Sequence, residues 1–228
     1  MDERSLDNYE AYARIVVIGF GGAGNNAVNR MIDDELKSVE FYVANTDQQS
    51  LSHSKARNRI ILGEKETNGL GAGGDPEKGR KAAEESIDKI REIVEGANLV
   101  FIAAGMGGGT GTGAAPVIAQ AARAAGALTV AIVTRPFTFE GKKRIENSVK
   151  GLNDLKDAVD AIIIVSNDKL LMVSGTRPIS EAFAESDGVL AQSVKTVTDL
   201  ILSPAFINLD FADVRNTLKE SGISSNAT

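Results

Sequence analysis

Nine consecutive residues, Gly105-Met106-Gly107-Gly108-Gly109-Thr110-Gly111-Thr112-Gly113, contain six glycines and lie between an apolar run ending at Ala104 and an alanine-rich run beginning at Ala114. Backbone without side chains can approach a ligand closely and take up positive φ. Successive N–H groups can then converge on an anion, and the start of the following helix adds its partial positive charge. The two threonines would supply hydroxyl donors. A flexible linker has a similar composition, but linkers are rarely wedged between a buried strand and a helix, so the pattern points to phosphate binding.

Two further clusters have the same character. Gly69-Leu70-Gly71-Ala72-Gly73-Gly74 is one. The other, Gly19-Phe20-Gly21-Gly22-Ala23-Gly24, fits GxGxxG between a strand and a helix, with Asp47 twenty-three residues beyond its last glycine. That is the fingerprint of a dinucleotide-binding unit, so an NAD-binding oxidoreductase domain is one reading. Against it, the two extra glycine loops exceed what a dehydrogenase needs, and the single histidine, His53, sits in an exposed polar stretch. A P-loop is excluded: the only Gly-Lys pair, Gly141-Lys142, has Pro136 where the first glycine of GxxxxGK[ST] would stand.

The elements that must position these loops can be read from periodicity. β-branched or apolar runs at 14–18, 41–44, 59–62, 99–104, 128–134 and 161–165 are strands of the kind buried in a parallel sheet. Between them lie helical stretches at about 27–36, 76–95 (Asp75 as N-cap, Pro76 at the first position), 114–125 and a segment carrying Glu140, Arg144, Val149 and Leu152. A long helix spans 180–202, its apolar face marked by Phe183, Leu190, Val194, Val197 and Ile201, and a short final helix ends near Glu220. Alternating strands and helices give an α/β fold: a Rossmann-like, mostly parallel sheet with helices on both faces. Ligands bind such sheets beyond the carboxyl ends of the strands, where all three glycine clusters, Asp47 and Asn167 fall. Residues 1–12 are expected to be a polar extension, 13–221 one nucleotide-binding domain, and 222–228 a frayed tail.

With 228 residues, 43% of them apolar, the chain can bury a substantial core. No apolar run is long enough to span a membrane and the N-terminus is too polar for a signal peptide, so a soluble cytoplasmic protein without membrane insertion is expected. Zero cysteines exclude disulfides and thiolate metal sites, one histidine excludes most imidazole sites, and no protein metal centre is expected. A net charge of −6 without a basic stripe argues against nucleic acid as partner.

Gly107-Gly108-Gly109-Thr110-Gly111-Thr112-Gly113 resembles the tubulin/FtsZ signature loop. Gly21-Gly22-Ala23-Gly24-Asn25-Asn26, Asn45-Thr46-Asp47, Gly69-Leu70-Gly71-Ala72-Gly73, the 135–141 segment and Asn208-Leu209-Asp210-Phe211-Ala212-Asp213 look like FtsZ, not eukaryotic tubulin. The resemblance runs from about Arg14 to Lys219 and implies a GTP-binding, GTP-hydrolysing, filament-forming protein of cell division. It implies that Gly21, Gly22, Ala72, Gly73 and Gly107, Gly108, Gly109 and Thr110 surround the phosphates of GTP or GDP. Ala23, Gly24, Asn25, Asp47, Gly105 and Gly111 would lie beside them, and Mg²⁺ would arrive through the phosphates. Glu140 and Arg144 would contact the ribose region, Asn167 and Asp187 read the guanine edge, and Phe183 stack on the base. Taken alone, Phe183 reads as a core residue before a base platform, and Asp187 could be merely a solvated one.

Asp210 and Asp213 could simply cap the last helix. However, about fifteen helical residues between Asp187 and Leu202 put them roughly 23 Å from the base end of the site, too far to act on their own subunit's nucleotide. The resemblance implies that Asp210 and Asp213, with Asn208, complete the site of the next subunit in a head-to-tail filament, a contact that does not close. It also implies other cell-division proteins as partners, and a location at the division site. Family members continue into a second domain, which the resemblance leads one to expect is missing here, by excision or by natural shortening, so binding without robust assembly or turnover is expected. A non-hydrolysing regulatory module is the remaining alternative.

Overall fold

The computed structural model describes residues 13–37, 39–175, 178–201 and 224–225. Six parallel strands, β1 (Ile15–Phe20), β2 (Glu40–Asn45), β3 (Asn58–Ile61), β4 (Leu99–Gly105), β5 (Leu128–Arg135) and β6 (Ala161–Ser166), lie in the order β3-β2-β1-β4-β5-β6. Within the stretch expected to be frayed, Ser224–Ser225 pair in parallel with Ile162 and Ile163 as a two-residue β7. The order reverses between β1 and β4, where connections leave in opposite directions and open a crevice at the carboxyl edge.

Both faces of the sheet are covered. Val16, Ile18 and Phe20 of β1 join Val100, Ile102 and Ala104 of β4 under α4 (Pro76–Glu85), α5 (Ile87–Val94), α6 (Thr110–Ala124) and α7 (Lys142–Ala158). Ile15 and Val17 alternate to the other face with Leu99 and Phe101, under α1 (Gly21–Asp33) and α9 (Ile179–Ile201). This period-two alternation with both faces buried is why the strands read as unbroken apolar runs. Three short helices, α2 (Gln48–Ser52), α3 (Glu64–Thr67) and α8 (Asn167–Ser174), fill the connections. Among the described residues no helix is long and apolar enough to cross a membrane.

Several boundaries differ from the sequence reading. The helix expected over 76–95 is two helices, α4 and α5, meeting at Ser86, whose hydroxyl accepts from the Gly63 N–H at 2.9 Å. α1 begins at Gly21 and α6 at Thr110, both inside the glycine clusters and not after them. Pro116 therefore sits within α6, where it removes the N–H that would bond the Thr112 carbonyl. The expected cap holds: the Asp75 carboxylate accepts from the Glu77 N–H at 3.0 Å with Pro76 at the start of α4.

Candidate nucleotide site

A cavity of about 240 Å³ opens at the carboxyl edge of the sheet. Its wall is made by Gly21, Gly22 and Ala23 from the first glycine loop and by Gly105, Gly108, Gly109, Thr110 and Gly111 from the signature loop. Glu140, Arg144, Asn167, Phe183 and Asp187 also line it. Residues from five separate stretches of sequence thus converge on one space.

At the β6 end, Asn167 is the buried first residue of α8, and its Oδ1 accepts from the Ser186 hydroxyl at 2.7 Å. Asp187, the next residue of α9, accepts from Asn26 Nδ2 at 3.1 Å. Burial pushes its carboxyl up to about 6, although the Asn26 hydrogen bond and the Arg30 charge pull the other way. Phe183, one turn earlier, is 38% exposed and so is not a core residue. It stands edge-on to Phe137 and Phe139, at 5.2 and 6.1 Å between ring centroids, while those two rings stack on each other at 4.8 Å. Phe137 is fully buried and anchors the group, leaving Phe183 at the cavity wall.

In the middle, the Glu140 carboxylate is paired with Arg144 and accepts from the Phe137 N–H at 2.9 Å. Toward the glycine loops, Thr110 reaches the cavity, and its hydroxyl lies 2.7 Å from that of Thr46 at the end of β2. Thr112, the other threonine of the loop, is buried and not on the cavity wall. Its hydroxyl accepts from the Gly107 N–H at 2.8 Å and holds the loop closed. Gly107 has φ of +107°, and a Cβ there would lie 2.7 Å from the Arg144 carbonyl oxygen.

Six expected site residues are not on the cavity wall: Gly24, Asn25, Asp47, Ala72, Gly73 and Gly107. Gly24 lets α1 lie on β4, since a Cβ would meet the Ala103 carbonyl oxygen at 2.3 Å. Asn25 is buried, and its amide nitrogen, oriented by the surrounding acceptors, donates to the Gly19 and Gly21 carbonyls at 3.1 and 3.0 Å. Asp47 caps α2, accepting from the Ser50 hydroxyl at 2.7 Å and from the N–H groups of Gln49 and Ser50 at 2.9 and 3.3 Å. The Ser50 hydroxyl first, then the two N–H groups, holds its carboxyl below the usual range. A carboxylate turned into its own helix is not placed to take a ribose, which removes the acidic residue on which the dinucleotide reading depended. Ala72 packs beside Gly109, and Gly73 is exposed.

Phe20, Met106, Thr134, Pro136 and Ser186 also line the cavity, and Asn26 holds Asp187; sequence reasoning passed over all six. Helical spacing could have found Ser186, which shares a face with Phe183 on α9. Asn208, Asp210 and Asp213 lie outside the described residues.

The family model described as the Tubulin/FtsZ family, GTPase domain, matches residues 14–175. The cell division protein FtsZ of Aquifex aeolicus is 54% identical over 220 residues, which are 96% of this chain and 60% of that protein. An empty FtsZ dimer from M. jannaschii matches with a TM-score of 0.85 and 44% identity, over 90% of this chain and 60% of that one. CetZ2 of Haloferax volcanii, in a GTPγS-bound protofilament, matches with a TM-score of 0.78 and 25% identity, over 91% of this chain and 63% of that one. The chain thus spans between 60% and 63% of the length of these relatives. Fold, glycine loops and sequence agree: the chain belongs to the tubulin/FtsZ family.

Proposed function

We propose that the cavity binds a guanine nucleotide, base toward β6 and phosphates among the glycine loops, and that the chain is the nucleotide-binding part of a GTPase that assembles head to tail. The observation that carries this reading is one cavity with the half-buried Asp187 carboxylate and Phe183 at one end and glycine backbone at the other. A carboxylate accepting from guanine N1–H and N2–H₂ rejects adenine, which lacks both donors. Asn167, held by Ser186, is the second polar group for the base edge, and Arg144 and Glu140 face the ribose. Converging N–H groups and the start of α6 hold the phosphates.

Among the described residues no three His, Asp or Glu side chains stand close enough to hold a metal ion. Magnesium fits this site only as a companion of the phosphates, keeping its waters, and the chain's own residues would touch it little. Self-assembly is inferred from the relatives' descriptions as a cell division protein and a protofilament, and the family resemblance adds a place in the cytoplasm at the division site alongside other division proteins. Hydrolysis is assigned to Asp210 and Asp213, with Asn208, acting on the neighbouring subunit's nucleotide.

Titration calorimetry with GTP, ATP and NAD tests the binding reading. GTP is expected to bind at least tenfold more tightly than ATP. NAD binding without GTP binding would overturn it.

A further inference from the structure

The side-chain amide of Asn147, on α7, stands where two glycine loops meet. Its Nδ2 donates to the Gly74 carbonyl of the 69–74 loop and to the Gly107 carbonyl of the signature loop, both at 3.3 Å. An amide NH₂ carries two hydrogens and can serve both acceptors at once. The first half of the 69–74 loop is tied to the residues between β2 and the start of α2 by backbone bonds, Gln48 N–H to Gly69 and Gly71 N–H to Thr46, each 3.0 Å. The second half is barer. Gly73 and Gly74 both have positive φ, both are exposed, and nothing lies within 4 Å of a Cβ built on either.

α7 is fixed in position to do this. One turn before Asn147, the Arg144 carbonyl oxygen occupies the space beside Gly107 that a side chain would need, 2.7 Å from where a Cβ would stand. One turn after it, Lys150 pairs with Glu77 in the first turn of α4 at 3.4 Å. Gly151 allows the helix to lie against Thr112 and Met106, whose atoms a Cβ would meet at 2.3 and 2.9 Å. The sheet order puts Asn167, at the end of β6, on one side of the crevice and the 69–74 loop, paired with the residues after β2, on the other. Ala72 of that loop lies behind Gly109 of the cavity wall, so a nucleotide with its base at Asp187 and its phosphates along the signature loop points its phosphate end toward the 69–74 loop.

We propose that Asn147 is a positioning residue that pins the 69–74 loop to the signature loop, and that the preference of the site for a nucleoside triphosphate over a diphosphate depends on this clamp. The inference rests on the nucleotide reading above. It assigns Asn147 no contact with the ligand: the amide acts through the two carbonyls it holds.

Two measurements on wild type, Asn147→Ala and Asn147→Asp test it. In the nucleotide-free chain, the Asp75 N–H, held by the Ala72 carbonyl at 3.0 Å, is expected to exchange about tenfold faster on loss of the two hydrogen bonds. Asn147→Asp should do at least as much, since a carboxylate repels both carbonyls. In titrations, GTP affinity is expected to fall about tenfold while GDP affinity stays within about twofold. Asn147→Gln, which keeps the donor on a longer arm, should recover part of the GTP affinity. Unchanged exchange would overturn the proposal, and so would equal losses for GTP and GDP, which would mark general damage to the fold. If the wild-type chain bound neither nucleotide, the nucleotide reading would fall, and the exchange data alone would decide whether the clamp exists.

Discussion

Asn26 Nδ2 and Asp187 Oδ2 meet at 3.1 Å across the seam between α1 and α9. α1 begins in the first glycine loop, whereas Asp187 stands at the base end of the cavity, so one hydrogen bond links the element that opens the phosphate side to the residue that would read the base. Arg30, one turn further along α1, strengthens the same seam by donating to the Ala184 carbonyl at 3.3 Å.

Asp187 can accept from both guanine donors at once only when ionised, and its carboxyl is raised to about 6 by burial. At pH 5 about a tenth of molecules would carry the charge. Guanine-nucleotide affinity is therefore expected to be level above about pH 7 and to fall about tenfold per pH unit below 6, with proton release on binding in that range. Calorimetry in buffers of different ionisation enthalpy reads both quantities. An affinity that stays level from pH 5 to 8 would remove Asp187 from the base edge.

The same raised value acts against the nucleotide-free fold. Between the unfolded value of about 3.9 and the folded value near 6, the folded state binds more protons than the unfolded one, so stability falls as pH rises through this window. After allowance for partial exposure, the cost at neutral pH is about 1–2 kcal/mol. Asp187→Asn should raise the Tm of the nucleotide-free chain at pH 7.5 and give no gain near pH 4. Thermal melts at the two pH values decide it, and a lowered Tm at pH 7.5 would contradict the sign.

Thr46 and Thr110 share a buried hydroxyl contact at 2.7 Å that ties β2 to the first residue of α6. Thr110→Val keeps the shape and strands the Thr46 hydroxyl, which should cost about 1–3 kcal/mol. Adding Thr46→Val removes both partners, so the double variant should lose less than the sum of the two single changes. Urea unfolding of all four forms measures this; additive losses would mean that the two hydroxyls do not interact.

The α/β class, the six strands and the edge on which the loops converge were legible because strands buried on both faces leave unbroken runs such as Ile15–Ile18 and Leu99–Ala104. Helix starts were less so. Glycine is a poor helix former, so Gly21 and Thr110 read as loop, yet packing carries both helices back to the ends of β1 and β4. The break at Ser86 depends on a bond to Gly63 that periodicity does not report. Within the site, glycine and short polar residues serve two ends that look alike in sequence. Gly22 faces the cavity while Gly24 seats a helix, and Thr110 faces the cavity while Thr112 closes a turn. Phe183 fitted the apolar stripe of α9, and only its exposure beside Phe139 separates it from the core.

For the acids of the 208–213 stretch, the expected division of labour is binding in one subunit and cleavage from the next. In a chain extended to the length of its relatives, Asp210→Ala should keep GTP affinity within about twofold and lower turnover by at least about a hundredfold. Loss of affinity in step with turnover would place Asp210 in its own subunit's site.

Base selection by Asp187 is the centre of the account, and the ratio of GTP to ATP affinity in wild type and Asp187→Ala tests it most directly. Competition titrations at pH 7.5 should show a strong preference for GTP in wild type that shrinks at least tenfold in the variant, with ATP competing better than before. A ratio that the substitution leaves unchanged, or a wild-type chain that prefers ATP, would contradict it.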